Sequence, residues 1–277
     1  MRKLIITPKK LHTENDNING PTVIKVPKCI NDPLGRYYMY FAHHRGSHIK
    51  LAYSNNLLGT WNIYQKGVLD INQINGIDHI ASPEIYFKNN KIVMIYHSVY
   101  DKESQLSSSA ISDDGINFIP DQEKFALFYF RRFVYKGKVF GVAKNNSKYG
   151  CIYKLINGKY QILNPRFIFN MRHCSILVRK NFVYCYYTKI GDCPERVMKC
   201  KINMSTLKPY AISEVFRPLY SWEGSSEPIK KSKFGMVEKK VHQIRDPYVY
   251  RENKINYIFY TVQGENGISV FIEKSIM

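Results

Sequence analysis

Ser54-Asn55-Asn56-Leu57-Leu58-Gly59-Thr60-Trp61 and Ser112-Asp113-Asp114-Gly115-Ile116-Asn117-Phe118 follow one plan: a serine ending an apolar run, two Asn or Asp residues, a glycine turn and an aromatic residue. Each copy closes a series of short runs. The first is preceded by PTVIKV (21–26), YYMYFAHH (37–44) and IKLAYS (49–54), the second by SPEIYF (82–87), KIVMIYHS (91–98) and SSSAIS (107–112). Aromatic and β-branched runs of this length, bounded by Gly, Asn, Asp and Pro, are strand signals, and no long segment shows a helical period. Three further units follow: RRFVY, KVFGVAK and CIYKLI (131–156); CSILVR, NFVYCYYTKI and RVMKCKI (174–202); and YVYR, INYIFYTV and ISVFIEK (248–274). A meander repeated five times at roughly 45–55 residues predicts an all-β, five-bladed propeller. We read residues 1–277 as a single domain. A long inserted connection at about 205–241, containing YSWEGSSEP, interrupts it before the fifth unit, and long connections in compact domains are commonly functional.

The composition agrees with strands, with 22 Tyr and 15 Phe in 277 residues. A formal charge of +19 favours encounter with polyanions, but the lysines are scattered. The densest run, Lys230, Lys231, Lys233, Lys239 and Lys240, lacks the interleaved aromatic residues that single-strand binding uses, so nucleic acid is not the expected partner. The apolar stretch of the N-terminus is four residues, too short for a signal sequence, and no segment has the length of a membrane span; a cytoplasmic, membrane-free protein is expected. The six cysteines contain no CxxC pair, which points to reduced thiols and no metal. No phosphate-cradling glycine loop or dinucleotide fingerprint implies a cofactor.

In a meander the start of each first strand and the end of each second strand lie on the same rim. First strands contribute Asn19, Thr22, Asp78, His79, Ser82, Glu84, Arg131, Arg132, Arg172, His173, Gln243, Arg245 and Asp246 to it. Second strands contribute His43, His44, Arg45, His97, Ser98, Lys144, Lys189, Asp192, Glu195, Gln263 and Glu265. Polar residues gathered there and scarce elsewhere suit a ligand pocket on the axis; the same residue types also serve to pair neighbouring blades.

These segments resemble the five-bladed propeller glycosidases related to glycoside hydrolase family 43. The resemblance is carried over nearly the whole chain by NGPTVIKVP (19–27), NDPLGRYYMYFAHHRG (31–46), HIASPEIYF (79–87), MRHCSILV (171–178), TKIGDCPERV (188–197), SWEGSSEP (221–228) and QIRDPYVY (243–250). It implies a carbohydrate ligand and an Asp, Asp and Glu from the first three blades. This sequence departs from that set: blade I offers Asn19, which is no base, blade II Glu84, and blade III Arg131 and Arg132. Arg245-Asp246-Pro247 is similar to the RDP motif of fructan-processing propellers, and Trp222-Glu223 to the segment carrying their acid.

Glycoside hydrolysis ordinarily needs two carboxyl groups facing the scissile bond. Glu84 and Asp246 are the expected pair, with Glu223 a further carboxylate; His79 or His173 is an alternative acid. Asn19, His43, His44, Arg45, His79, Ser82, Arg131, Arg132, Arg172, His173, Arg245 and Gln263 are the expected substrate-binding residues. The arginine excess suggests an anionic group, uronic, sulfated or phosphorylated. A glycoside hydrolase is expected, with a phosphorylase using inorganic phosphate and a non-catalytic sugar-binding propeller as alternatives.

Overall fold

The computed structural model describes residues 1–11, 17–101, 105–145 and 148–274. Five antiparallel sheets form the five blades of a propeller. From the inner strand outward, blade I is Asn19–Lys25, Tyr37–Ala42, His48–Ser54 and Asn62–Asp70. Blade II is Ile80–Lys88, Lys91–Val99 and Gln105–Ser112, edged by two short strands, Ile119–Pro120 and Ala126–Leu127. Blade III is Arg131–Tyr135, Lys138–Lys144, Gly150–Ile156 and Lys159–Asn164; blade IV is Met171–Arg179, Phe182–Lys189, Val197–Asn203 and Lys208–Phe216. Blade V takes Arg245–Glu252, Ile255–Thr261 and Ile268–Lys274 from the end of the chain and its outer strand, Arg2–Ile6, from the beginning. Among the described residues no helix is long and apolar enough to cross a membrane.

The repeated turn explains itself in atoms. Ser54 Oγ accepts the Asn56 N–H and donates to the Thr60 carbonyl, and Ser112 Oγ accepts the Asp114 and Gly115 N–H groups, so each serine closes its own turn. The aromatic residue that follows packs onto the preceding blade: Trp61 against Phe259 of blade V, and Phe118 against Tyr40 of blade I. Tyr40 in turn donates to the Gly115 carbonyl, 2.7 Å away. The repeat is therefore the blade-to-blade seam, which is why it recurs in sequence.

One reading is corrected. Of the stretch read as an inserted connection, 208–216 is the outer strand of blade IV, largely exposed and so without an apolar run to announce it; the connection to blade V runs from 217 to 244. The N-terminal apolar stretch is a strand of blade V, where Arg2 pairs with Phe271 and Leu4 with Ser269 to close the ring. Arg2 Nη1 then donates to Glu223 Oε2 at 2.6 Å, with its guanidinium 4.9 Å from the Phe216 ring centre.

Candidate functional site

Backbone geometry builds the axis. Gly20, Ser82 and Asp246 each precede a proline on an inner strand, each has φ between +51° and +60°, and each sits in a bulge that breaks the register with the second strand. Blade III places Tyr129 at φ +58° just before its inner strand, and blade IV has a bulge between Met171 and Cys174 that carries Arg172 and His173. Bulges re-aim side chains, and here those of blades II and IV put Ser82, Arg172 and His173 on the axial cavity. Asn19 lines the cavity beside them, and the blade-I counterpart of Asp246 is Gly20. A Cβ on Gly20 would stand 3.2 Å from Ser82 Cα, a tight approach, and its amide donates to Asp246 Oδ2.

The axial cavity has a volume of about 60 Å³. Of the expected binding residues Asn19, His44, His79, Ser82, Arg172 and His173 line it, joined by Tyr129, His97, Lys144 and Glu265. Phe234 and Gly235 of the 217–244 connection complete the wall. Asp246 lies directly behind His173, whose Nδ1 it contacts, and Thr261 Oγ1 donates to its second oxygen at 3.4 Å. Burial opposes the Asp246 charge, but the His173 ring, the Gly20 amide and Arg245 outweigh it and hold the carboxyl down at about 2. His173 is itself pulled below the ordinary imidazole value by burial, against the pull of Asp246. The pair is thus a carboxylate and a neutral imidazole, with Nδ1–H fixed on Asp246 and the ring edge-on to Tyr129 at 4.2 Å.

Lys144, at the end of the second strand of blade III, lines the same cavity between the rings of Phe128 and Phe234. Burial, reinforced by Arg172, lowers its ammonium to about 7. His97 is buried against Tyr129 and His79, neither ring nitrogen has a partner among the described residues, and burial drives it well below the usual imidazole range. Sequence placed Lys144, His97 and Glu265 on the rim without choosing them. Tyr129 was missed, although its FYFRR context follows the register that leads into a first strand.

Three expected roles change. Glu84 does not line the cavity; it is buried beneath it, 3.3 Å from Arg131 Nη1, and burial pushes its carboxyl up to about 7 against the pull of that guanidinium. Glu223 is also off the cavity: it accepts from Arg2, from the Leu219 and Tyr220 amides and from the Tyr260 hydroxyl. The arginines expected to hold an anion hold the protein. Arg131 donates to the Cys174 and Pro83 carbonyls, and Arg132 lies over Tyr86. Arg172 pairs with Glu195 at 2.7 Å, and Arg245 with Glu265 at 2.9 Å. Arg172 also donates to the Lys233 and Gly235 carbonyls and Arg245 to that of Gly235, fastening the connection over the axis. His43, Arg45 and Gln263 lie outside the axial cavity, in a second one. Among the described residues no group of three or more His, Cys, Asp or Glu side chains is arranged to hold a metal ion.

The Glu84→Gln substitution therefore reports on folding. It leaves Arg131 with its carbonyl partners but without its counter-charge, and we expect a loss of about 1–3 kcal/mol in urea unfolding with no effect on turnover. A loss of turnover at unchanged stability would return Glu84 to the site.

The buried imidazoles also set a pH dependence. His97 and His173 have folded pKa values below the unfolded value near 6.5, so the unfolded chain binds the extra protons. Their contribution is intact above about pH 6.5 and is lost as pH falls below it. Melting temperature should fall between pH 7 and 5, and His97→Gln should flatten that slope; an unchanged slope would show that His97 is not a resisting group.

Fold and site define the class: a five-bladed β-propeller with a polar cavity at one end of its axis, the fold of glycoside hydrolase family 43. A putative glycoside hydrolase from Bacteroides ovatus superposes with a TM-score of 0.71 at 11% identity, covering 98% of this chain and 94% of that one. The family 43 enzyme of Xanthomonas citri, solved with xylose, gives 0.65 at 9% identity over 98% and 90%. A β-xylosidase/α-arabinofuranosidase from a compost metagenome, solved with xylotriose, gives 0.64 at 10% over 99% and 95%. Identities this low establish the common fold. No family model matches the chain. The chain belongs to the family of "Uncharacterized protein R118" of Acanthamoeba polyphaga mimivirus, with which it is 32% identical over 92% of its own length and 83% of that protein.

Proposed function

We propose that this propeller binds a glycoside at its axis and hydrolyses it by an imidazole–ammonium pair in place of two facing carboxyl groups. The observation that carries this reading is the His173–Asp246 pair on the axial cavity, with Lys144 on the same wall. Neutral His173, its Nδ1–H fixed by an ionised Asp246, accepts a proton at Nε2 from water as that oxygen bonds to the anomeric carbon. Asp246 stabilises the imidazolium, as the carboxylate of a catalytic triad does. The Lys144 ammonium donates a proton to the departing glycosidic oxygen. His173 then releases its proton and Lys144 regains one, leaving two hydroxyl products from one bond and one water. Expected sugar ligands are supported by the solved neighbours holding xylose and xylotriose.

A second reading, a sugar-binding propeller without turnover, is favoured by one observation: blade I brings Asn19 and Gly20 and no carboxyl group to the axis, and Glu84 and Glu223 are both committed to arginines. Mass spectrometry of products from neutral and uronic oligosaccharides, with and without phosphate, separates the readings. Released free sugar supports hydrolysis, and sugar phosphate would assign a phosphorylase. On a turned-over substrate, kcat/KM should decline above about pH 7 as Lys144 loses its proton, and Lys144→Arg should move that limb upward. A limb that stays in place would remove Lys144 from the mechanism. Binding with no product across the panel would leave the binding propeller.

A further inference from the structure

The end of the propeller opposite the axial cavity carries the turns that join inner to second strands, one per blade around the axis. They are 25–36 in blade I, 88–91 in blade II, 135–138 in blade III, 179–182 in blade IV and 251–255 in blade V. Lysines that look scattered in sequence are gathered here: the five turns hold eleven Lys and Arg residues against two acids, Asp32 and Glu252. Glu252 is shared by Lys25, Arg36 and the Tyr37 hydroxyl. On the adjoining outer turn of blade II, Asp113 pairs with Lys91, and Asp114 accepts the Ile116 and Asn117 amides. Lys88, Lys136, Lys138, Arg179 and Lys180 form no ion pair with a described residue.

Two further features accompany the charge. Four of the turns are two-residue loops, closed by the pairs Lys88–Lys91, Tyr135–Lys138, Arg179–Phe182 and Glu252–Ile255. Such loops demand left-handed backbone, which Asn and Gly adopt most readily, and Asn89, Asn90, Gly137 and Asn253 supply it here. Lys136, Lys180 and Lys254 hold the same conformation, at φ +47°, +52° and +66°, with a strain that Asn or Gly would relieve. Beside these cations an apolar side chain stands open in four of the five blades: Leu34, Phe87, Val134 and Phe182 are 37–42% exposed.

We propose that this end of the propeller docks on the surface of an anionic lipid bilayer, its lysines and arginines meeting the headgroups while the four apolar side chains enter the interface. A bilayer can meet a whole ring of turns at once, and basic charge with apolar anchors supplies the two signals that peripheral attachment needs. Nucleic acid fits the surface less well. Its phosphates make no use of Leu34 and Val134, and of the two exposed phenyl rings Phe182 already lies 4.3 Å from the Lys201 ammonium. Surface docking needs no spanning segment, so the expectation of a membrane-free chain, which follows from segment length, does not bear on it. The docked propeller would turn its axial cavity away from the membrane, and the contact is independent of what that cavity holds.

The test is flotation of the full chain with vesicles of phosphatidylcholine alone and of phosphatidylcholine with ~30% phosphatidylserine, at low and high salt. Binding should be about tenfold stronger or more to the anionic vesicles and should fall as salt rises. Lys136→Asn combined with Lys180→Asn suits the left-handed turns, so melting should not drop, while partitioning should weaken by about tenfold. Lys230→Asn with Lys231→Asn removes the same charge from the connection at the other end and should leave partitioning nearly unchanged. Phe87→Gln with Phe182→Gln should weaken it by about fivefold at unchanged salt dependence. No binding to the anionic vesicles, or equal losses from the two lysine pairs, would overturn the proposal. Duplex DNA held more tightly than the vesicles, weakened by the Lys136 and Lys180 changes and indifferent to the phenylalanine ones, would replace lipid with nucleic acid.

Discussion

Asp246→Asn should lower turnover by about three to four orders of magnitude while leaving the fold and ligand affinity nearly unchanged. The side chains are the same size, and the Gly20 amide can still donate to the carboxamide oxygen. The charge is what differs. Asp246 is held at about 2, so at neutral pH it is an acceptor only, and it fixes the His173 hydrogen on Nδ1. A carboxamide that presents its NH₂ group to Nδ1 forces the hydrogen to Nε2, the atom that must accept a proton from water, and it withdraws the charge that stabilises the imidazolium. In a triad of the same logic that substitution costs about 10⁴ in kcat. Pre-steady-state hydrolysis of whichever saccharide is turned over measures the effect, alongside affinity and melting. A variant within tenfold of the parent would show that His173 does not act as a base.

Removing Glu223 should have the largest effect on stability, although it stands well away from the axis. Its carboxylate is fully buried and gathers Arg2 from the first strand, the Leu219 and Tyr220 amides from the connection and the Tyr260 hydroxyl from blade V. Glu223→Ala leaves these donors without their acceptor and Arg2 without its counter-charge beside the aromatic rings it covers. Breaking a buried pair in this way costs about 3–5 kcal/mol. The loss falls on the strand that closes the ring, so urea unfolding should show it together with early hydrogen exchange of residues 2–6 and their partners at 268–271. A change below about 1 kcal/mol would mean that the closure is held by its backbone ladder alone.

The difference between these two carboxylates bears on how much of the site was legible. Asp246 and Glu223 both sit in motifs that resemble catalytic segments, and nothing local separates them: each precedes or follows an aromatic-rich strand, and each has a small residue nearby. The structure separates them through partners more than 200 residues away, Gly20 for one and Arg2 for the other. Glu84 and Arg131 show the same limit, since a buried ion pair and an active-site pair read alike until their contact is seen.

What the sequence determined by itself was the blade. Short apolar and aromatic runs in a meander repeated five times, and the Ser-turn-aromatic echo of the first two units, are local properties, because each of those two turns is closed by its own serine and its aromatic residue packs on the adjacent blade. The rim was legible for the same reason, as alternating strand direction assigns residues to one face without any distance. The tertiary structure alone decided which blade receives the N-terminal strand, which rim residues reach the axis through bulges and left-handed backbone, and which charges are neutralised by one another. Each of these depends on pairings distant in sequence, where neither hydrophobic period nor turn chemistry carries a signal, so that the same Asp, Glu and Arg residues become seam or site only when the ring closes.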